Sequence, residues 1–329
     1  MFKGKYFKRI ILLVIFIPAT FFFVRGCYFP SIIKGEKIAA KLYGWEENLL
    51  KDSLNLKLHV FNTGMNKVSS ILVGEINPWR PAPAFVIEHP KFGLIVFDTG
   101  LSTEIAKKGE AHLHLITSWL FKTRSLVGKD LPSQMKAVNL NPKEVTNVIF
   151  SHLHFDHIGN SKAFKNATFR IGKETSTDKL SRLDGLEPTI INSIKETHTF
   201  NTINFSSGVH FATFEKTVDL LGDGSLIAVQ GNGHLSGSIG LFVNLPEGLV
   251  FLSGDEVVHF DWLYSDDVQR ISKNPERAAN IRNRVRMLLQ LAPNTVVIPG
   301  HDLSRIPKNR GDIVLHNPEL FLEETWPIN

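Results

Sequence analysis

Ser151-His152-Leu153-His154-Phe155-Asp156-His157 decides how the rest of this chain is read. Three imidazoles and a carboxylate crowd together directly after the apolar run Val145 to Phe150. A strand end followed by a turn sends His152 and His154 to one side, because alternate residues share a face. Asp156 and His157 then lie past the turn. Two groups of ligands leaving one short loop suit two adjacent metal ions, and neutral imidazole with carboxylate suits zinc. Crowding these groups without a metal brings no packing gain.

Working outward, three later segments repeat the theme. Gly231 to Ser238 places His234 in a Gly-rich turn after the apolar run Ser225 to Val229. Ser253-Gly254-Asp255 ends the run Leu249 to Leu252, and Pro299-Gly300-His301-Asp302 ends the run Thr295 to Ile298. Each pair is common alone. Their recurrence just past strand ends is informative, because sites are usually built in such loops.

Leu56 to Phe61, Ala84 to Ile87, Leu94 to Phe97, Phe169 to Ile171, Val209 to Phe214 and Ile239 to Val243 complete a series of short strand-like runs. Leu131 to Leu140 and Pro275 to Leu291 read as helices, the first stopping at Asn141-Pro142 and the second opening on a proline. Several strands follow one another with no helix between them. That predicts an α/β protein of packed sheets with helices outside, rather than a doubly wound sheet. Residues 54–329 contain no linker and form one catalytic domain. Residues 28–53 read as a connector with a helix around Ile38 to Tyr43.

The 329 residues carry a formal charge of +5 and a pI near 9.1. Lys3, Lys5, Lys8, Arg9 and Arg25 supply the whole excess, and the remaining 32 basic residues balance the 32 acidic ones. A neutral body removes the main argument for a nucleic-acid partner. Lys3 to Arg9 form a basic flank before the uncharged stretch Ile10 to Val24. That stretch is shorter than the roughly 20 residues of a full span. It suits a signal-peptide core or a short anchor whose flanking cations reach back to the interface. Residues 1–27 are therefore expected to be a signal or membrane anchor, with the rest outside the cytoplasm, periplasmic or at the cell surface. Cys27, the single cysteine, excludes an intrachain disulfide. After Val24-Arg25-Gly26 it looks like a bacterial lipoprotein cleavage box.

Over residues 55–305 the chain resembles the metallo-β-lactamase superfamily. The resemblance rests on the H-x-H-x-D-H motif, the ordered His234, Asp255 and His301, and Phe97-Asp98-Thr99-Gly100, which is similar to the family's D-T-G turn. It implies an αββα four-layer sandwich and two zinc ions. His152, His154 and His234 would hold one ion, Asp156, His157 and His301 the other, and Asp255 would bridge them. Asp156 would also orient a water that the two ions acidify. Relatives that use iron for redox work carry Glu where this chain has His154, so the imidazole favours zinc hydrolysis.

Within the superfamily the chain is similar to the N-acyl-homoserine lactonases, through Ser151 to Asn160 and the closing Gly300-His301-Asp302. The resemblance implies a small-molecule ester or lactone substrate. Those lactonases commonly place a Tyr three residues after the bridging Asp, to contact the substrate carbonyl; Val258 stands there in this chain. Tyr264 is taken as a replacement catalytic residue and His259 as a pocket residue. Trp79, Trp119 and Phe121 are candidates for an apolar acyl site, while His112 and His114 read as surface or packing residues. The alternatives are an organophosphate or aryl-ester hydrolase of the same superfamily, and a catalytically inactive membrane-tethered binding protein. A glyoxalase II-like thioesterase fits less well, because the chain after His301 is too short for that group's helical domain. Asp255 departs from the pattern of true β-lactamases.

Overall fold

The computed structural model describes residues 32–44, 55–73, 78–177 and 180–326. Two sheets carry the architecture. The first contains β1 (Lys57–Val68), β2 (Arg80–His89), β3 (Gly93–Phe97), β4 (Phe121–Arg124), β5 (Val145–Ile149), β6 (Thr168–Gly172), β7 (Phe200–Ile203) and β14 (Ile313–Leu315). Its order is β14-β1-β2-β3-β5-β6-β7, with β4 pairing the far end of β1. The second contains β8 (Val209–Phe211), β9 (Phe214–Asp219), β10 (Leu226–Gln230), β11 (Ile239–Leu245), β12 (Gly248–Leu252) and β13 (Val296–Ile298), in the order β13-β12-β11-β10-β9-β8.

The inner faces of the sheets meet in one apolar cluster. Leu58, Val60, Phe85 and Ile95 from the first sheet pack with Ala228, Leu241, Val250 and Leu252 from the second. Period-two alternation splits the side chains of each strand between this core and an outer face. The outer face of the first sheet (Val86, Val96, Val148) is covered by α4 (Leu131–Ala137) and α6 (Pro188–Lys195) through Leu131, Met135, Ile191 and Ile194. That of the second (Ile227, Phe242, Phe251) is covered by α8 (Pro275–Leu291) through Ile281, Val285 and Leu288. Helix, sheet, sheet and helix form the four layers expected. The remaining helices are short: α1 (Ser70–Val73), α2 (Thr103–Lys108), α3 (Leu115–Leu120), α5 (Phe155–Ile158) and α7 (Phe260–Leu263).

Two expectations are corrected. Val209 to Phe214 is not one strand but the hairpin β8–β9, turned at Ala212, whose φ is 51°. The helix expected around Ile38 to Tyr43 is instead part of an extended strap, residues 32–44. Its backbone finds partners outside itself. Ile32 bridges Asp267 and Tyr43 bridges Ala212, while Asn283 of α8 donates to the carbonyls of Lys34 and Glu36. Arg282, fully buried, donates to the carbonyls of Ile33 and Asp267. Partners supplied by the domain satisfy the backbone that a helix would otherwise satisfy locally.

The apolar stretch Ile10 to Val24, Cys27 and half of the connector lie outside the described residues. Among the described residues no helix is long and apolar enough to cross a membrane.

Candidate metal centre

All seven sequence-derived ligands meet at one end of the sandwich, and all are buried. Their positions follow from where strands stop. The loop after β5 carries His152 and His154, and the single turn α5 carries Asp156 and His157. His234 follows β10, Asp255 follows β12 and His301 follows β13. The first sheet thus delivers four ligands and the second delivers three.

They sort into two groups, His152, His154, His234 and Asp255 in one and Asp156, His157 and His301 in the other. In the first, His154 Nδ1 lies 2.8 Å from His152 Nε2 and 3.1 Å from His234 Nε2. Asp255 Oδ2 lies 3.4 Å from His234 Nε2 and 3.9 Å from His152 Nε2. The other oxygen, Asp255 Oδ1, lies 3.4 Å from His157 Nε2 and 3.3 Å from His301 Nε2. His301 Nε2 is also 3.6 Å from Asp156 Oδ2. One carboxylate therefore presents one oxygen to each group. Gly300 makes room for it, because a Cβ there would stand 2.2 Å from Asp255 Oδ1.

The far nitrogens of the imidazoles are held in place. His157 Nδ1 meets Asp98 Oδ2 at 2.8 Å, His301 Nδ1 meets the Pro81 carbonyl at 2.7 Å, and His152 Nδ1 meets Ser151 Oγ at 2.9 Å. Asp98, left-handed at φ 57°, also accepts from the Ser151 backbone and hydroxyl, which fixes the start of the ligand loop. Gln269 donates to the Asp255 carbonyl at 2.7 Å and stands 3.3 Å from His234 Nδ1. Glu256 accepts from the backbone of Gly233 and His234 and from the Ser238 hydroxyl, closing the His234 turn. Such partners fix the tautomer and orientation of metal-binding imidazoles.

Electrostatics separate the groups. Burial holds His154 and His234 down to about 3 against the pull of Asp255, and holds His152 well below its ordinary value. These imidazoles keep their lone pairs. Burial also acts on His157 and His301, but carboxylates outweigh it and raise both, Asp98 leading for His157 and Asp255 for His301. Burial disfavours the Asp255 carboxylate, yet His301, His157 and His234 hold it well below the usual range.

The donor set fits two cations. His157 Nε2 and Asp255 Oδ1 are buried without a hydrogen-bond partner, and both face the second group. Buried polar atoms left unpaired in this way call for a ligand.

Other expected residues lie outside the cluster. Tyr264 is 61% exposed, with Arg305 over its ring. His259 stands at the rim, its Nε2 3.3 Å from Asp302 Oδ2, beside His301. His114 caps α3 by accepting from the Ile116 backbone. Trp79 stacks under Arg124, and Trp119 is exposed. Phe121 packs edge-on against Phe155, near Gly185 and hence near His154.

The sequence reading missed Asn66, whose amide donates to Asp156 Oδ2, and Arg80, which feels both Asp255 and Asp156. It also missed Gln269 and Glu256. All four are single polar residues without a motif. A polar Asn66 near the end of the largely buried β1 was the one available signal.

The sequence pattern of the Metallo-beta-lactamase superfamily matches residues 77–301. The N-acyl homoserine lactonase AttM of Azorhizobium caulinodans is 26% identical over 242 residues, covering 68% of this chain and 82% of that protein. AttM of Rhizobium radiobacter is 26% identical over 246 residues, with the same coverage. A solved N-acyl homoserine lactone hydrolase, with the product N-hexanoyl-L-homoserine at its catalytic metal center, superposes with a TM-score of 0.63 at 17% identity, covering 76% of this chain and 94% of that one. The match spans more than half of the chain and contains the whole ligand cluster, so the protein belongs to the metallo-β-lactamase superfamily and is a metal-dependent hydrolase.

Proposed function

We propose that this protein is a dinuclear zinc hydrolase that opens a carboxylic ester or lactone with an apolar acyl arm, an N-acyl-homoserine lactone being the leading substrate. The observation that carries the reading is the division of Asp255, one oxygen towards each ligand group. His152, His154 and His234 would hold one ion and Asp156, His157 and His301 the other, with Asp255 between them. When bound, the two ions acidify a water and polarise the ester carbonyl. Asp156 is fixed by Asn66 and by its place in α5, so it can orient that water. Phe121, backed by the buried Phe155, offers an apolar wall beside His154 for the acyl arm. The AttM relatives, named as N-acyl homoserine lactonases, support the substrate class.

Metal analysis and a substrate panel test this together. The full chain in mild detergent should carry two zinc ions and turn over acyl lactones ahead of aryl esters, thioesters and phosphotriesters. Activity retained with metal content near zero would sink the zinc reading. Cleavage of aryl or phosphate esters with no lactone opening would transfer the assignment to that substrate class.

The basic flank and apolar stretch at the N-terminus support a tether that leaves the catalytic domain outside the cytoplasm. Protease protection of intact cells tests it. Protein found wholly in the cytosolic fraction with an intact N-terminus would contradict it. Cys27→Ser removes a lipid only if the segment is a lipoprotein signal.

A further inference from the structure

We propose that Arg80 is the donor that holds the substrate's carbonyl oxygen as negative charge develops on it, taking the place of the phenol that Val258 does not supply. The inference rests on the ester-hydrolysis reading above.

Arg80 opens β2 and lies opposite Asn66 of β1. Directly opposed residues of an antiparallel pair project to the same face, with Cβ atoms about 4.5–5.5 Å apart. The Asn66 amide already touches Asp156 from that face. The longer Arg80 side chain therefore rises beside a group in contact with the second ligand set. Its backbone is tied there too, because the next carbonyl, that of Pro81, fixes His301.

Arg80 is partly buried and makes no hydrogen bond or ion pair through its guanidinium with any described residue. The more deeply buried arginines are both engaged, Arg282 with the carbonyls of Ile33 and Asp267, and Arg124 with Glu323 and the Trp79 ring. Burial lowers the Arg80 pKa while Asp255 and Asp156 oppose the shift, and a guanidinium stays charged in any case. Those two carboxylates are the ones assigned to metal binding. A desolvated cation whose donors meet no acceptor among the described residues is unfavourable unless one arrives, and an acceptor that gains charge during the reaction is held best at its transition state.

The alternatives for this role are poorly placed. Val258 is apolar and buried, and the exposed Tyr264 ring lies beneath Arg305. In the step itself, a water oxygen bonds to the ester carbonyl carbon and the C=O electron pair moves onto the oxygen that Arg80 faces. Collapse restores the C=O and breaks the bond to the alkoxy oxygen. The departing alkoxide takes a proton derived from the water. One water is consumed, and a carboxylic acid and an alcohol result.

The test compares the zinc-loaded full chain with Arg80→Met and Arg80→Lys on a neutral aryl ester and a neutral lactone. Arg80→Met should lower kcat by about 10²–10³, the loss typical of one oxyanion donor, with KM changing far less. Arg80→Lys should recover part of that loss, and zinc content and Tm should match the parent. Binding of methylphosphonate, a tetrahedral oxyanion, followed by calorimetry, should weaken by at least about tenfold in Arg80→Met. An unchanged kcat, a rise in KM alone, a loss of zinc in step with kcat, or equal methylphosphonate affinity would each overturn the proposal. Absence of ester turnover by the parent chain defeats the hydrolytic reading instead, and methylphosphonate binding still reads Arg80.

Discussion

Asp98 Oδ2 meets His157 Nδ1 at 2.8 Å, while both Asp98 oxygens also accept from Ser151 at the start of the ligand loop. A single carboxylate thus orients a ligand and anchors the segment that carries it. Asp98→Asn keeps the shape but loses the charge that holds His157 up. Metal affinity should fall by about 10- to 100-fold, the usual effect of losing such a partner. Competition with a chromogenic chelator measures it; unchanged affinity would show that Asp98 only packs.

Asp255→Ala removes the carboxylate shared by both ligand groups. Metal content should fall, and ester turnover should drop by several orders of magnitude. Elemental analysis and initial rates on one preparation check both, and full occupancy in the variant would refute the bridging role.

Tyr264→Phe should leave kcat and KM for neutral esters unchanged. The ring is exposed at the rim, against Arg305 rather than the ligand cluster. A fall in kcat alone would return Tyr264 to the role expected from the sequence.

His316→Gln should flatten the acid dependence of folding stability. His316 sits on Phe61 with its Nε2 2.8 Å from His59 Nδ1, and burial, aided by His59, lowers it to about 4. The unfolded imidazole takes its proton near 6.5. Between about pH 6.5 and 4 the unfolded chain therefore binds a proton that the folded chain does not. This contribution is complete above 6.5 and is lost as pH falls towards 4. Tm measured against pH on metal-free parent and variant should show the shallower slope in the variant.

Arg282→Leu should release the strap at residues 32–44. It strands the carbonyl of Ile33, while that of Asp267 keeps the Trp262 indole N–H, and one orphaned acceptor costs on the order of 1–3 kcal/mol. The urea midpoint should fall, and limited proteolysis should cut within the strap first. Cleavage elsewhere first would show that the strap holds without Arg282.

The ligands were legible because four of them fall within six positions and each of the others directly follows a glycine just past an apolar run. The layered sheets were legible from the same runs, and α8 matches its expected bounds, Pro275–Leu291. The strap was not, because Ile38 to Tyr43 has helical composition and its true partners, Ala212 and α8, lie far along the chain. Asn66, Arg80 and Gln269 were hidden for the same reason. Nothing near them in sequence announces that β1, β2 and the loop before α8 converge on Asp156 and Asp255.

Because the first sheet supplies His152 and the second supplies His301, the cluster joins points about 150 residues apart along the chain. A nascent chain emerging from its N-terminus holds no finished site until His301 has been made. The full ligand set can load only after His301 has joined it, so the ion is drawn from whichever compartment the chain completes its folding in. The metal supply of that compartment, as much as the donor atoms themselves, selects what the enzyme carries.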